Sequence, residues 1–344
     1  MIKLLKIKNF TTFSNAQIEF SPGLNVIIGD NATGKSHLVK LAYSIIHTLY
    51  KHENSQLSLQ QQIADKLQNV LKPRSLGHLS RNGSGRTRTE IELELADDSQ
   101  KLQFSFAKNS RREVRIDKRI TSVLLKTPLF FPTSEVLTLA SELPALYEER
   151  YISIDETHYD LCKALNLPLL KKVSKDLKDI ITPLEAELGG TIIVDKSGDF
   201  YLDIPKQGKV EISLIAEGLR KIAMLVYLIQ NGSLTKGSTL FWDEVETNLN
   251  SRIMVKVANA LARIAQNGIQ VIVTTHDFFL MKELSLLIES TPKMLANFFS
   301  LKANKDGVVI EQGRLLEDLH TIVVLDEVLT QDDREQDFYY KSGR

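Results

Sequence analysis

The sequence predicts an α/β fold around a mixed sheet with flanking helices, and three observations carry that prediction. An apolar run near the N-terminus ends in a glycine-framed loop that opens a helix. Helical and buried-strand patterns alternate from residue 213 onward, as parallel strands joined by right-handed crossovers require. Between these lie period-two segments of the kind that build antiparallel strands.

Taken in chain order, Ile2, Leu4, Ile7 and Phe10 lead through the polar turn TTFSNAQ into Ile18 and Phe20, two short strands meeting in a hairpin. Ser21-Pro22-Gly23 is a turn and LNVII a buried strand. GDNATGKS (Gly29 to Ser36) follows, and Leu38, Leu41, Ile45 and Leu49 mark the helix behind it. Residues 51–88 are polar and close on RSLGHLSRNGSGRTR, which reads as an inserted, partly mobile segment. IELEL and LQFSF alternate at period two, and LFF between Pro128 and Pro132 is a short buried strand. Residues 135–188 carry helical spacing broken by Pro144, Pro168 and Pro183, and TIIVDKSGDFYLDI is a hairpin turning at Ser197-Gly198-Asp199. A helix from about Ala216 to Gln230, the strand TLFWDE, a helix on Ile253, Val257, Leu261 and Ile264, and the strand QVIVTTH complete the alternation. The expected division is an N-terminal part of the core (1–134), a helical lobe (135–190), a C-terminal part of the core (191–325) and an acidic tail (326–344). From Asp326 to Asp337 that tail sets six acids against Arg334 alone and is expected to fray.

Composition narrows the partners. Basic and acidic residues balance at 43 each, so a polyanion-binding surface would have to come from local clustering. The single cysteine, Cys162, rules out an internal disulfide and a cysteine-based zinc cluster. No apolar run of about 18 residues occurs, so neither membrane spanning nor secretion is expected and the chain is placed in the cytoplasm.

The chemistry concentrates in four places. The GDNATGKS pattern supplies backbone N–H groups and a helix N-terminus for phosphate, with Lys35 reaching the terminal phosphates and the Ser36 hydroxyl ligating Mg²⁺. Glycine is required at 29 and 34 because a Cβ would intrude where the chain curls around the phosphates. TLFWDE ends in Asp243 and Glu244, which period-two geometry sends to different sides, one toward a metal shell and one toward an attacking water. Ala216-Glu217-Gly218-Leu219-Arg220-Lys221 opens a helix, and His276 ends the following buried strand on the rim where phosphates sit in open α/β sheets.

That order of motifs, with Asn248-Leu249-Asn250 after the paired acids, resembles the ABC-type ATPase heads of the SMC, RecF and overcoming-lysogenization-defect group. Among them are short AAA-type ATPases of bacterial defence and DNA repair. The resemblance implies a P-loop NTPase fold of the ABC type, and ATP with Mg²⁺ bound between two heads arranged head to tail. Residue by residue, it implies Gly29, Asn31, Gly34, Lys35, Ser36 and His37 around the nucleotide, and Ser36 and Asp243 at the metal. It further implies Glu244 as catalytic base, His276 as switch histidine and Gly218 as donor to the opposite γ-phosphate. Three departures stand out. Ala216 replaces the signature serine, Thr11 stands where relatives often carry arginine, and no glutamine lies between Lys126 and Ala140, which leaves Glu135 or Ser134 to fill the magnesium-sensing position.

About eighty residues separate Glu135 from the signature, too few and too rich in proline for a long coiled coil. The 68 residues after His276 hold no nuclease pattern. The expectation is therefore a compact ATPase head that forms a homodimer, with higher oligomers left open, and serves in antiviral defence as sensor or scaffold for a separately encoded effector nuclease. Two rivals remain: a RecF-like repair clamp closing on DNA, and a nucleotide-gated scaffold with negligible turnover. DNA or RNA contact would fall to the basic stretch from Lys108 to Arg119, with Arg81, Arg86 and Arg88.

Overall fold

The computed structural model describes residues 1–52, 57–81, 88–97, 100–120, 125–149 and 152–342. Strands β1 (Ile2–Phe10) and β2 (Phe13–Glu19) form the expected hairpin. A register shift between Ile2 and Leu4 puts Leu5, instead of Leu4, in the core. Strand β3 (Leu24–Gly29) leads through the glycine loop into helix α1 (Lys35–Lys51).

The inserted segment expected to be partly mobile carries helix α2 (Leu59–Leu71). Ser58 caps it by accepting from the Gln61 N–H, and Leu59, Ile63, Leu67 and Val70 form a buried stripe. The glutamines between those apolar residues disguised the period. Arg86, singled out among the basic residues, lies outside the described residues.

Strands β4 (Arg88–Leu95), β5 (Lys101–Ala107) and β6 (Arg115–Lys118) extend the hairpin into an antiparallel sheet of order β2-β1-β4-β5-β6. After β7 (Leu129–Phe131) come helices α3 (Leu143–Glu148), α4 (Glu156–Leu165) and α5 (Lys175–Leu188). Strands β8 (Thr191–Val194), β9 (Phe200–Ile204) and β10 (Gly208–Glu211) form a small antiparallel sheet.

The alternating region is helix α6 (Glu217–Gln230), strand β11 (Thr239–Trp242), helix α7 (Ser251–Gln266), strand β12 (Gln270–Thr275) and helix α8 (Phe278–Ser290). Strands β13 (Ala296–Asn304) and β14 (Gly307–Gly313), which the sequence reading did not foresee, form a hairpin on the sheet edge. The chain ends in helix α9 (Val323–Ser342). The acidic tail is thus helical instead of frayed, and it is exposed from Asp326 onward.

The central sheet runs β14-β13-β3-β12-β11-β7. All its neighbours pair in parallel except β14, which makes the sheet mixed. Period two splits each central strand between two cores: Val26, Ile28, Leu240 and Trp242 face the helices α5 to α8, while Ile27 and Phe241 face α1 and the antiparallel sheet. Because β3, β12, β11 and β7 are parallel, the loops leaving their C-terminal ends open on one edge, and every loop of the candidate site is among them.

Candidate functional site

The loop after β3 is shaped by backbone. Gly29 (φ 145°), Ala32 (φ 62°) and Gly34 (φ 91°) all adopt positive φ, and Gly34 begins α1. A Cβ on Gly34 would stand 2.5 Å from Thr12 Oγ1, and one on Gly29 2.5 Å from the Leu301 carbonyl. Only glycine fits there. Lys35 is buried, and its ammonium donates to the carbonyls of Gly29 (2.7 Å) and Asp30 (3.0 Å). Burial pulls its pKa below the ordinary lysine value, while the carboxylates of Glu244, Asp243, Glu246 and Asp30 pull it back up.

Three side chains meet at the neighbouring strand ends. Ser36 Oγ donates to Asp243 Oδ1 at 3.1 Å, and Thr274 Oγ1 donates to the same oxygen at 2.7 Å. The Thr274 hydroxyl also accepts from the Glu244 N–H at 2.8 Å. Asp243 is buried and Glu244 only partly so. The two acids differ in exposure, and because β11 stops at Trp242 strand alternation does not extend to them. Glu244 sits at φ 49°, a left-handed conformation that redirects its side chain.

Beyond Glu244 the chain is pinned at almost every residue. Glu246 Oε1 accepts from the His276 N–H at 2.7 Å and lies 2.9 Å from His276 Nδ1. Lys221, fully buried on α6, donates to the Thr247 carbonyl at 2.9 Å, and burial lowers its pKa. A Cβ on Gly218 would stand 2.4 Å from the Asn248 carbonyl, so glycine there lets α6 rest on this loop. Asn250 caps α7 by accepting from the Ile253 N–H at 3.0 Å.

The fold therefore gathers Gly29, Gly34, Lys35, Ser36, Asp243 and Glu244 into one site, with His276 exposed at its rim. Asn31 and His37 are exposed on the loop and the first turn of α1. Gly218 packs on Asn248 and Leu249. Ala216 is the N-cap of α6 and supplies no side-chain hydrogen bond, which a serine would.

Glu135 accepts from the Thr138 hydroxyl at 2.9 Å and pairs with the Arg220 guanidinium of α6 at 2.9 Å. Ser134 contacts His158. Both candidates for the glutamine position thus have polar partners of their own. Thr274, Glu246 and Lys221 received no role from the sequence, because their partners lie 25 or more residues away along the chain. Ile322, Val323, Val324 and Glu327, at the root of α9, line a cavity of about 330 Å³ with Gly29, Asp30, Asn31 and His276.

The donor set suits a phosphate and a hard cation. Ser36 Oγ and Asp243 Oδ1 are adjacent hard oxygens of the kind Mg²⁺ takes alongside water and phosphate. Among the described residues no cluster of three or more His, Cys, Asp or Glu could hold a metal, so a cation here would draw most of its ligands from elsewhere.

Fold and order of motifs together resemble the ABC-type ATPase heads of the SMC and RecF kind. A family model described as "AAA ATPase domain" matches residues 1–187, and one described as "AAA domain, putative AbiEii toxin, Type IV TA system" matches residues 160–282. The chain belongs to the AAA ATPase domain family. It is 25% identical to the DNA replication and repair protein RecF of Streptococcus uberis over 234 residues, 64% of this chain. That alignment spans 59% of the RecF protein's own length. It is 23% identical to an ATP/GTP phosphatase of Helicobacter pylori over 334 residues, covering 80% of this chain and 85% of that one. In fold it is similar to an Smc head solved bound to the C-winged helix domain of ScpA (TM-score 0.60, 14% identity, 92% of this chain and 98% of that chain). It is also similar to the Smc head domain from Pyrococcus furiosus (TM-score 0.58, 13% identity, 95% and 99%). No helix among the described residues is long and apolar enough to cross a membrane.

Proposed function

We propose that this chain binds ATP with Mg²⁺, closes into a head-to-tail homodimer around two nucleotides, and hydrolyses them. The observation that carries this reading is the convergence of Ser36, Asp243 and Thr274 beside the Lys35 loop. Lys35 exchanges the carbonyls of Gly29 and Asp30 for phosphate oxygens, and the loop N–H groups and the α1 N-terminus hold the remaining charge. Ser36 and Asp243 hold the cation, which when bound neutralises charge on the phosphates. Glu244, partly exposed beside Asp243, accepts the proton of the attacking water. Gly218 donates to the γ-phosphate held by the other copy.

The physiological role we favour is the ATPase sensor or scaffold of a cytoplasmic antiviral defence complex whose effector nuclease is a separate protein. The family model described with a putative AbiEii toxin supports it. A RecF-like clamp closing on DNA is favoured instead by the RecF match and by Arg74, Arg111 and Arg112, which line one open cleft.

Native mass spectrometry of Glu244→Gln protein, co-expressed with its genomic neighbours and purified in ATP and Mg²⁺, separates these readings. A dimer retaining two nucleotides and a second protein is the expected result. A dimer retaining DNA alone would move the assignment to the clamp, and a nucleotide-free monomer would overturn both.

A further inference from the structure

Glu246 follows the paired acids by two residues and is 7% exposed. Burying a carboxylate is costly unless its oxygens are paired. Only one of them is: Oε1 takes the His276 N–H and faces His276 Nδ1, while Oε2 is buried with no partner among the described residues. A glutamate kept at that cost beside an exposed histidine at the rim of the phosphate loop calls for a functional account. We propose that Glu246 is a positioning residue. It holds His276 by backbone and ring together and keeps the hydrogen on Nδ1, so that the Nε2 lone pair is left to accept a hydrogen bond from water at the nucleotide site.

The geometry favours this over simple packing. A carboxylate oxygen only accepts, so its place 2.9 Å from Nδ1 favours the tautomer with the hydrogen on that nitrogen. Histidine in water prefers the opposite tautomer, with hydrogen on Nε2, and the carboxylate reverses that preference. The same oxygen holds the backbone N–H of His276, which fixes the start of the side chain as well as its tip. Placing the ring this way matters to turnover only if the chain is the ATPase proposed above, and the functional half of the inference rests on that reading. The tautomer does not.

The test is nitrogen-15 NMR of the histidine rings, with His276 assigned by its loss in His276→Ala, at a pH where the ring is neutral. Wild-type protein should give the Nδ1–H pattern. Glu246→Gln keeps an oxygen at the same place and should preserve it, whereas Glu246→Ala should revert to Nε2–H. A wild-type ring already in the Nε2–H form overturns the proposal without any variant. Steady-state ATP turnover supplies the second readout: Glu246→Ala should lower kcat about tenfold or more with KM for ATP little changed. Combined with His276→Ala it should add nothing further, because the glutamate acts through the ring. Additive losses in the double variant would overturn the positioning role. Absence of turnover in wild-type protein with the Nδ1–H pattern intact would defeat the ATPase reading and leave the tautomer assignment standing.

Discussion

The loop from Gly29 to Gly34 and the loop from Asp243 to Asn250 border the same site but hold their shapes by different means. The first is held by backbone conformation: positive φ at three of its residues, and two glycines without room for a Cβ. The second has left-handed residues of its own, Glu244 and Asn248, but is tied down by groups from elsewhere in the chain, Thr274 and His276 at the end of β12 and Lys221 from α6. A loop whose shape is written in its own dihedral angles tolerates almost no substitution within itself. One tied to distant partners can be disturbed from far away in the sequence.

Substitutions that separate the two modes should rank accordingly. Gly34→Ala adds a Cβ 2.5 Å from Thr12 Oγ1 at a left-handed position. Left-handed backbone alone costs about 1–2 kcal/mol. We expect nucleotide affinity by calorimetry to fall on the order of a hundredfold; unchanged affinity would mean that the loop is not held by its backbone. Thr274→Val keeps the shape of a buried residue but strips Asp243 of a donor and the Glu244 N–H of an acceptor. A buried unsatisfied group costs about 1–3 kcal/mol. Turnover should drop about tenfold or more with nucleotide affinity nearly intact, and equal losses in both would erase the distinction between the loops. Ala216→Ser should do the least, supplying the missing cap of α6 for a gain of about 0.5–2 kcal/mol in thermal or denaturant unfolding. Tighter ATP-driven dimerisation should accompany it, measured by sedimentation.

The same contrast explains what could be read from the residues alone. GDNATGKS was legible because its chemistry and its geometry are both local. The strands of the central sheet were legible because burial on both faces produces short apolar runs such as LNVII and QVIVTT. Lys221 was not, since a buried lysine looks like any surface lysine until its partner carbonyl is known. Glu246 was hidden because its role lies in a bond to a residue 30 positions later. Helix α2 escaped notice behind its glutamines, and β13 and β14 behind a polar surround, although Phe298, Phe299 and Leu301 are buried. The departure from the expected fraying of the acidic tail has another source: α9 is sustained by its own backbone ladder and by pairs such as Lys341 with Asp337, which composition alone does not weigh.

The placement of α9 has a mechanical meaning. Twenty residues at 1.5 Å each make a rod about 30 Å long. Its foot rests beside Gly29, Asp30, Asn31 and His276, while Phe338, Tyr339 and Tyr340 stand exposed at its far end. For a rod of that length a pivot of about 10° at the foot sweeps the tip through about 5 Å. Any tilt of this helix would therefore be read out, enlarged by its length, at the exposed aromatic side chains of its far end.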